Sequence, residues 1–194
     1  MVTTANTPDK AKTKVVTGKV RLSYVHVWEP FTNNPTQEAK YSCVLLVPKS
    51  DKVTIKALRA AQQTALEQGK DSKFGGKIPT VWADTIHDGD EEADLDQNPE
   101  YAGHMYLSVS SKTKPGVVDA NVQPILDSTE VYSGCYARAS INCFPYNFSG
   151  KKSVSFGLNH IMKVADGESL MGMSKAEDDF SAYADVDEDE DSLI

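Results

Sequence analysis

Between Val131 and Tyr146 the sequence sorts its chemistry by parity. Ser133, Cys135, Ala137, Ala139, Ile141 and Cys143 are small or apolar and suit the interior of a barrel. Tyr132, Gly134, Tyr136, Arg138, Ser140, Asn142, Phe144 and Tyr146 alternate with them and would share the opposite face of an extended strand. Solvated strand faces ordinarily carry Thr, Lys and Glu. A face of aromatics with one guanidinium is suited to stacking unpaired nucleobases, at about 1–3 kcal/mol per base. The competing reading is that these rings pack beneath a long loop at 70–100, because strands favour Tyr and Phe in any case.

Cations stand where a groove following a phosphate backbone would need them. Lys19 and Arg21 share the outer side of the first expected strand. Lys112 and Lys114 follow the third, on which Tyr106 alternates with Met105 and Leu107, and Lys151 and Lys152 sit at a hairpin tip. The expected nucleic-acid contacts are therefore Lys19, Arg21, Tyr106, Lys112, Lys114, Tyr132, Tyr136, Arg138, Phe144, Tyr146, Lys151 and Lys152.

Other chemistries find less support. The sequence has no G-x-S-x-G, H-E-x-x-H or P-loop, and the four histidines are scattered. Cys43, Cys135 and Cys143 lack zinc-site spacing and read as free core thiols in a reducing compartment. The run Asp84, Asp88, Asp90, Glu91, Glu92, Asp94, Asp96 does not match a calcium loop and reads as a solvated loop. A metal-dependent nuclease built on Asp84–Asp96 is the enzymatic alternative, and a virion structural or assembly protein the other. The expectation is a protein that breaks no bonds and needs no cofactor or metal.

The net charge of −8 would argue against a polyanionic partner if it were spread evenly. It is not. Residues 168–194 hold ten acids against one base, leaving +1 on residues 1–167. Eight further acids fall between Asp84 and Glu100, where there is no Lys or Arg. Two acidic segments are thus attached to a basic body, the electrostatic requirement for phosphate binding.

The elements that must position these residues are mainly strands. Val20, Leu22 and Tyr24 alternate with Lys19, Arg21 and Ser23 in a strand over 15–28, ended by a turn at Asn33-Asn34-Pro35. A second strand over 41–47 is apolar on both faces. Ser50 caps an expected helix over about 51–68, with Val53, Ala57, Ala61 and Ala65 on its apolar face and Gly69 as its stop. A long insertion at 70–101 has no clear period, and strands return around 105–109, 130–146 and 151–164, the last two joined by a hairpin. The expected fold is an OB-fold-like five-stranded barrel with one embedded α-helix, although a sandwich would show the same alternation. The domain plan is a flexible arm at 1–14, the OB-fold domain at 15–167 and an acidic disordered tail at 168–194. No apolar run is long enough to span a bilayer.

Specific strings carry a family likeness. Thr17-Gly18-Lys19-Val20-Arg21-Leu22-Ser23-Tyr24, Lys40-Tyr41-Ser42 leading into Pro48-Lys49-Ser50-Asp51, Tyr132-Ser133-Gly134-Cys135-Tyr136-Ala137-Arg138 and the acidic end resemble the single-stranded DNA-binding proteins of tailed bacteriophages, once filed as a domain of unknown function. The likeness spans roughly residues 15–165. It implies an OB fold, sequence-independent binding of single strands, weak duplex binding, and a role in phage DNA replication, recombination and repair in the cytoplasm of the infected bacterium. It also implies a tail that competes with DNA and docks replication proteins, and it leaves homo-oligomerisation and the choice between DNA and RNA open. Candidate tail anchors are Phe180, Tyr183, Asp187, Glu188, Asp189, Glu190, Asp191, Leu193 and Ile194. Many such proteins end in an aromatic residue, whereas this chain ends Asp191-Ser192-Leu193-Ile194.

Overall fold

The computed structural model describes residues 10–172. In chain order the elements are α1 (Lys10–Thr13), β1 (Lys14–Val16), β2 (Val20–Phe31), β3 (Lys40–Pro48), α2 (Lys52–Ser72), β4 (His87–Asp88), α3 (Gly89–Glu92), β5 (His104–Ser111), β6 (Gly116–Val118), β7 (Tyr136–Phe148) and β8 (Lys151–Ala165). Short 3₁₀ turns occur at Pro99–Tyr101 and Ser128–Glu130. Part of the expected N-terminal arm, from Lys10 to Lys14, therefore takes regular structure. Residues 1–9 and the tail anchors from Phe180 onward lie outside the described residues.

The sheet has eight strands rather than five. Five of them pair in a cyclic order, β2–β3–β5–β8–β7 and back to β2, with β1, β4 and β6 added on β7, β5 and β8. The three additions are only two or three residues long, too short to leave a period in the sequence. Two links of the ring are brief. β5 meets β8 in parallel through Val109–Phe156 and Ser110–Gly157, and β7 meets β2 through Val20–Ala137 and Arg21–Tyr136. A mainly β architecture with one long helix is what the sequence led us to expect.

Alternation fills the core as the residue types require. Ala137, Ala139, Ile141 and Cys143 of β7 pack with Leu45, Leu107, Val109, Phe156 and with Leu58, Ala61 and Ala65 of α2. All three cysteines are buried and free, and burial pushes the Cys43 and Cys143 thiols up to about 12. Asp51, not Ser50, caps α2, its carboxylate accepting the Thr54 N–H at 3.0 Å. The buried helix face runs through Thr54, Leu58, Ala61, Ala65 and Gly69, and Val53 is exposed. Gly69 does not stop the helix. A Cβ there would come within 2.4 Å of Phe74 and 2.6 Å of Pro145, so the glycine admits close packing and the helix continues one turn.

Two local backbone features with positive φ set the positions of exposed rings. In β2 the period fails after Leu22: Ser23 is buried, and Tyr24 turns outward at φ +46° and is 57% exposed. The β2–β3 register shifts between Ser23 and His26 accordingly. At the other hairpin, Ser149 and Gly150 both take positive φ (50° and 82°), the two-residue turn that matches strand twist, and it projects Phe148 and Lys151 from the sheet.

Candidate nucleic-acid interface

β7 keeps its expected outward face, but the face is divided. At its start the chain folds back over its own tyrosines. The Tyr132 hydroxyl shares its one proton between the carbonyl of Gly167 (2.9 Å) and the carboxylate of Asp166 (3.1 Å), and accepts the Gly167 N–H at 3.2 Å. Arg21 donates Nε to the Gly134 carbonyl at 3.1 Å and Nη2 to the Glu168 carbonyl at 2.8 Å. Gly134 has φ +116°, and a Cβ on it would lie 2.0 Å from the Glu168 carbonyl, so only glycine allows this close approach. Lys163 pairs with Glu130 and Asp166 at 2.7 Å. Burial opposes the Lys163 charge, and the two carboxylates outweigh it, raising its pKa above the ordinary lysine range. Tyr136 carries Lys19 over its ring at 4.7 Å and Arg21 at 5.7 Å, and Gly167 packs against its edge. Lys19, Arg21, Tyr132 and Tyr136 are thus brought together as expected, around the segment 166–170 of the same chain. Arg138 is exposed beside them, with Nη1 3.5 Å from the Thr17 carbonyl.

Two more of the expected contacts are committed elsewhere. Tyr106 lies under the 84–101 insertion, its ring 4.9 Å from Tyr101 edge-on and 5.1 Å from His87. The insertion is held there because β4 pairs with β5 and because Lys49 binds Asp88 and Asp90, both at 2.6 Å. Arg59 pairs with Asp84, which also takes hydrogen bonds from Gln62 (2.9 Å) and the Ile86 N–H (2.9 Å). For Asp84, burial works against ionisation, and these bonds more than offset it, lowering its pKa. The acidic run is thus spent in part on ion pairs that fasten the insertion. Among the described residues no group of three or more His, Cys, Asp or Glu side chains is placed to hold a metal. Lys152 donates to the Phe74 carbonyl at 2.7 Å and anchors the segment after α2.

The open ground lies between two hairpins at the other end of β7. The β2–β3 and β7–β8 hairpins flank a groove of about 590 Å³, lined by Phe31, Lys40, Ser42, Ser110, Lys112 and Phe148 among others. Ser42 and Ser110 are a cross-strand pair on its floor. Phe31 is 51% and Phe148 74% exposed. His26 stacks on Phe31 at 4.3 Å with rings 9° from parallel, and burial lowers its pKa, which favours the neutral ring. Phe144 lies against Gly157, the partner of Ser110. Lys112 reaches Glu38 at 2.5 Å. A second groove, about 550 Å³, is lined by Lys14, Lys114, Asn142 and His160, and Lys114 also lies 5.8 Å from the Trp28 ring. Tyr146 is half-buried and Lys151 exposed at the hairpin end.

Phe31, His26, Lys40, Phe148 and Lys14 line or flank these grooves and were not among the contacts expected from the sequence. A signal existed for two of them. Phe31 and Phe148 each stand at the mouth of a turn, where burial gives no reason for a large apolar ring.

Known proteins share this framework. The chain is 28% identical over 165 residues to protein p50 of Acyrthosiphon pisum secondary endosymbiont phage 1, covering 82% of this chain and 87% of that protein. The single-stranded DNA-binding protein of bacteriophage Enc34, solved in complex with ssDNA, superposes with a TM-score of 0.68 at 26% identity, over 81% of this chain and 89% of that one. The gp2.5 single-stranded DNA-binding protein of bacteriophage T7 shares the fold, with a TM-score of 0.59 at 13% identity over 85% of this chain and 98% of that one. The family model described as the ssDNA-binding protein of Enterobacter phage Enc34 matches residues 13–193, and the chain belongs to that family.

Proposed function

We propose that this protein binds single-stranded DNA without regard to sequence and serves phage DNA replication and recombination, with no catalytic step of its own. The observation that carries the reading is the groove between the two hairpins: exposed rings on both walls, lysines at its edge and a floor of serines. Rings stack any base because every base has a π-face, and lysines meet phosphates without reading sequence. The strand face and the loops at these two corners are where OB folds take oligonucleotides, and we read the five-strand ring as an OB-type barrel. Phe31, Phe148, Phe144, Lys40, Lys112 and Lys151 are the contacts we assign to this groove, with Lys14 and Lys114 continuing the phosphate path. Lys19, Tyr136 and Arg138 form a second, smaller contact at the far end of β7. The resemblance to a protein captured with ssDNA supports the same reading.

The acidic residues 168–194 are proposed to compete with DNA for the basic groove and to dock replication proteins once displaced, in the cytoplasm of the infected host. A tethered polyanion acts at high effective concentration. No helix among the described residues is long and apolar enough to cross a membrane.

The test is a titration of fluorescent oligo-dT and of duplex DNA at two salt concentrations, with the full chain and with a chain ending at 172. Oligo-dT should bind far more tightly than duplex, more weakly as salt rises, and more tightly without the tail. Absence of oligo-dT binding at low salt would defeat the proposal. An affinity flat across salt would defeat its phosphate-neutralising part.

A further inference from the structure

We propose that the cleft around Tyr24 is a nucleobase subsite, which continues the hairpin groove past His26 and takes one unpaired base of the bound strand. The inference rests on the reading that the groove holds single-stranded DNA.

Three independent features meet there. The first is backbone conformation. Tyr24 holds φ +46° inside a strand, a strained region that bulky residues rarely adopt. The ring that this backbone displays is 57% exposed, so burial of the side chain does little to offset the strain. The second is orientation. The Tyr24 hydroxyl donates to the Asn98 side-chain oxygen at 3.2 Å, and the Val25 N–H donates to Ser133 Oγ at 3.0 Å. The bulge and the ring are thus held in place with a face left open. The third is the cleft itself. It encloses about 440 Å³ and is lined by Ser23, Tyr24, His26, Gln97, Asn98 and Leu170 among others.

That lining suits a base better than a phosphate. An aromatic face is available for stacking, and the amides of Gln97 and Asn98 can donate to or accept from a base edge. The nearby Glu100 repels a phosphate but not a neutral ring. Continuity supplies the occupant. His26 lines this cleft and stacks on Phe31, which lines the main groove, so a strand leaving Phe31 meets Tyr24 next. The opposite wall includes Leu170 and Met171, so the base would lie against the root of the acidic segment.

Glycine and asparagine both accept positive φ, and neither presents a ring. Tyr24→Gly and Tyr24→Asn should therefore keep or raise the melting temperature while weakening oligo-dT binding by roughly 5- to 150-fold, the range of one lost stacking contact. The shortest oligonucleotide that reaches full affinity should shorten by about one nucleotide. Tyr24→Phe keeps the ring and should bind within a few-fold of wild type. Wild-type protein that fails to bind oligo-dT would overturn the groove reading on which this rests. Wild-type binding with unchanged affinity in the folded Gly and Asn variants would overturn the Tyr24 subsite alone. Equal loss in Tyr24→Phe and Tyr24→Gly would also overturn it, since stacking would then not be what Tyr24 supplies.

Discussion

The two aromatic regions of this sheet have similar residue types and opposite fates. At the start of β7, Tyr132 and Arg21 are occupied by the chain itself: the Gly134, Gly167 and Glu168 carbonyls and the Asp166 carboxylate take up their polar atoms. Between the hairpins, Phe31 and Phe148 have no such cover and stand 51% and 74% exposed. Tyr132 in the first region has a hydroxyl with internal partners, so its ring is fixed by hydrogen bonds. Phenylalanine in the second has nothing to satisfy, and its exposure is an uncompensated hydration cost unless a ligand covers it. A polar aromatic can serve the fold on its own surface, whereas an exposed apolar ring at a turn points outward to a partner.

The largest effect should come from emptying the open region. Phe31→Ala with Phe148→Ala removes two stacking surfaces, and binding of oligo-dT should weaken by about 2–6 kcal/mol in total, at 1–3 per base. Fluorescence anisotropy gives the affinity and thermal unfolding checks the fold, which should hold because neither ring is in the core. Unchanged affinity would erase the distinction between the two regions.

A smaller effect of the opposite kind is expected at the covered region. Tyr132→Phe removes the hydroxyl that bonds Asp166 and Gly167, costing about 0.5–1.5 kcal/mol of stability for a typical hydrogen bond. Oligo-dT affinity should stay within error. A clear affinity loss with unchanged stability would mean that the segment 166–170 opens to let DNA onto Tyr132, and the comparison would need to be redrawn.

Much of the fold was legible because it rests on period and on residue types whose burial is obligatory. The β7 interior, the long helix and the β7–β8 hairpin follow from alternation, a four-residue apolar spacing and a hairpin-length loop expected at Asn147–Gly150. The short strands β1, β4 and β6 were not legible, since two or three residues carry no period. Tyr24 was expected to point inward with Val20 and Leu22. A bulge is decided by tertiary packing around Ser133 and Asn98, far away in the sequence. The site was half legible for the same reason. Sequence shows that Tyr132, Tyr106 and Lys152 can do chemistry, but not that Gly167, Tyr101 and the Phe74 carbonyl reach them first.

Photo-cross-linking tests the central claim most directly. The full chain bound to an oligonucleotide carrying 5-iododeoxyuridine would be irradiated, digested, and the modified residues identified by mass spectrometry. Adducts are expected on Phe31 and Phe148, the two walls of the hairpin groove. Adducts confined to Tyr132 and Tyr136, with none on either phenylalanine, would contradict the assignment of the groove as the path of the strand.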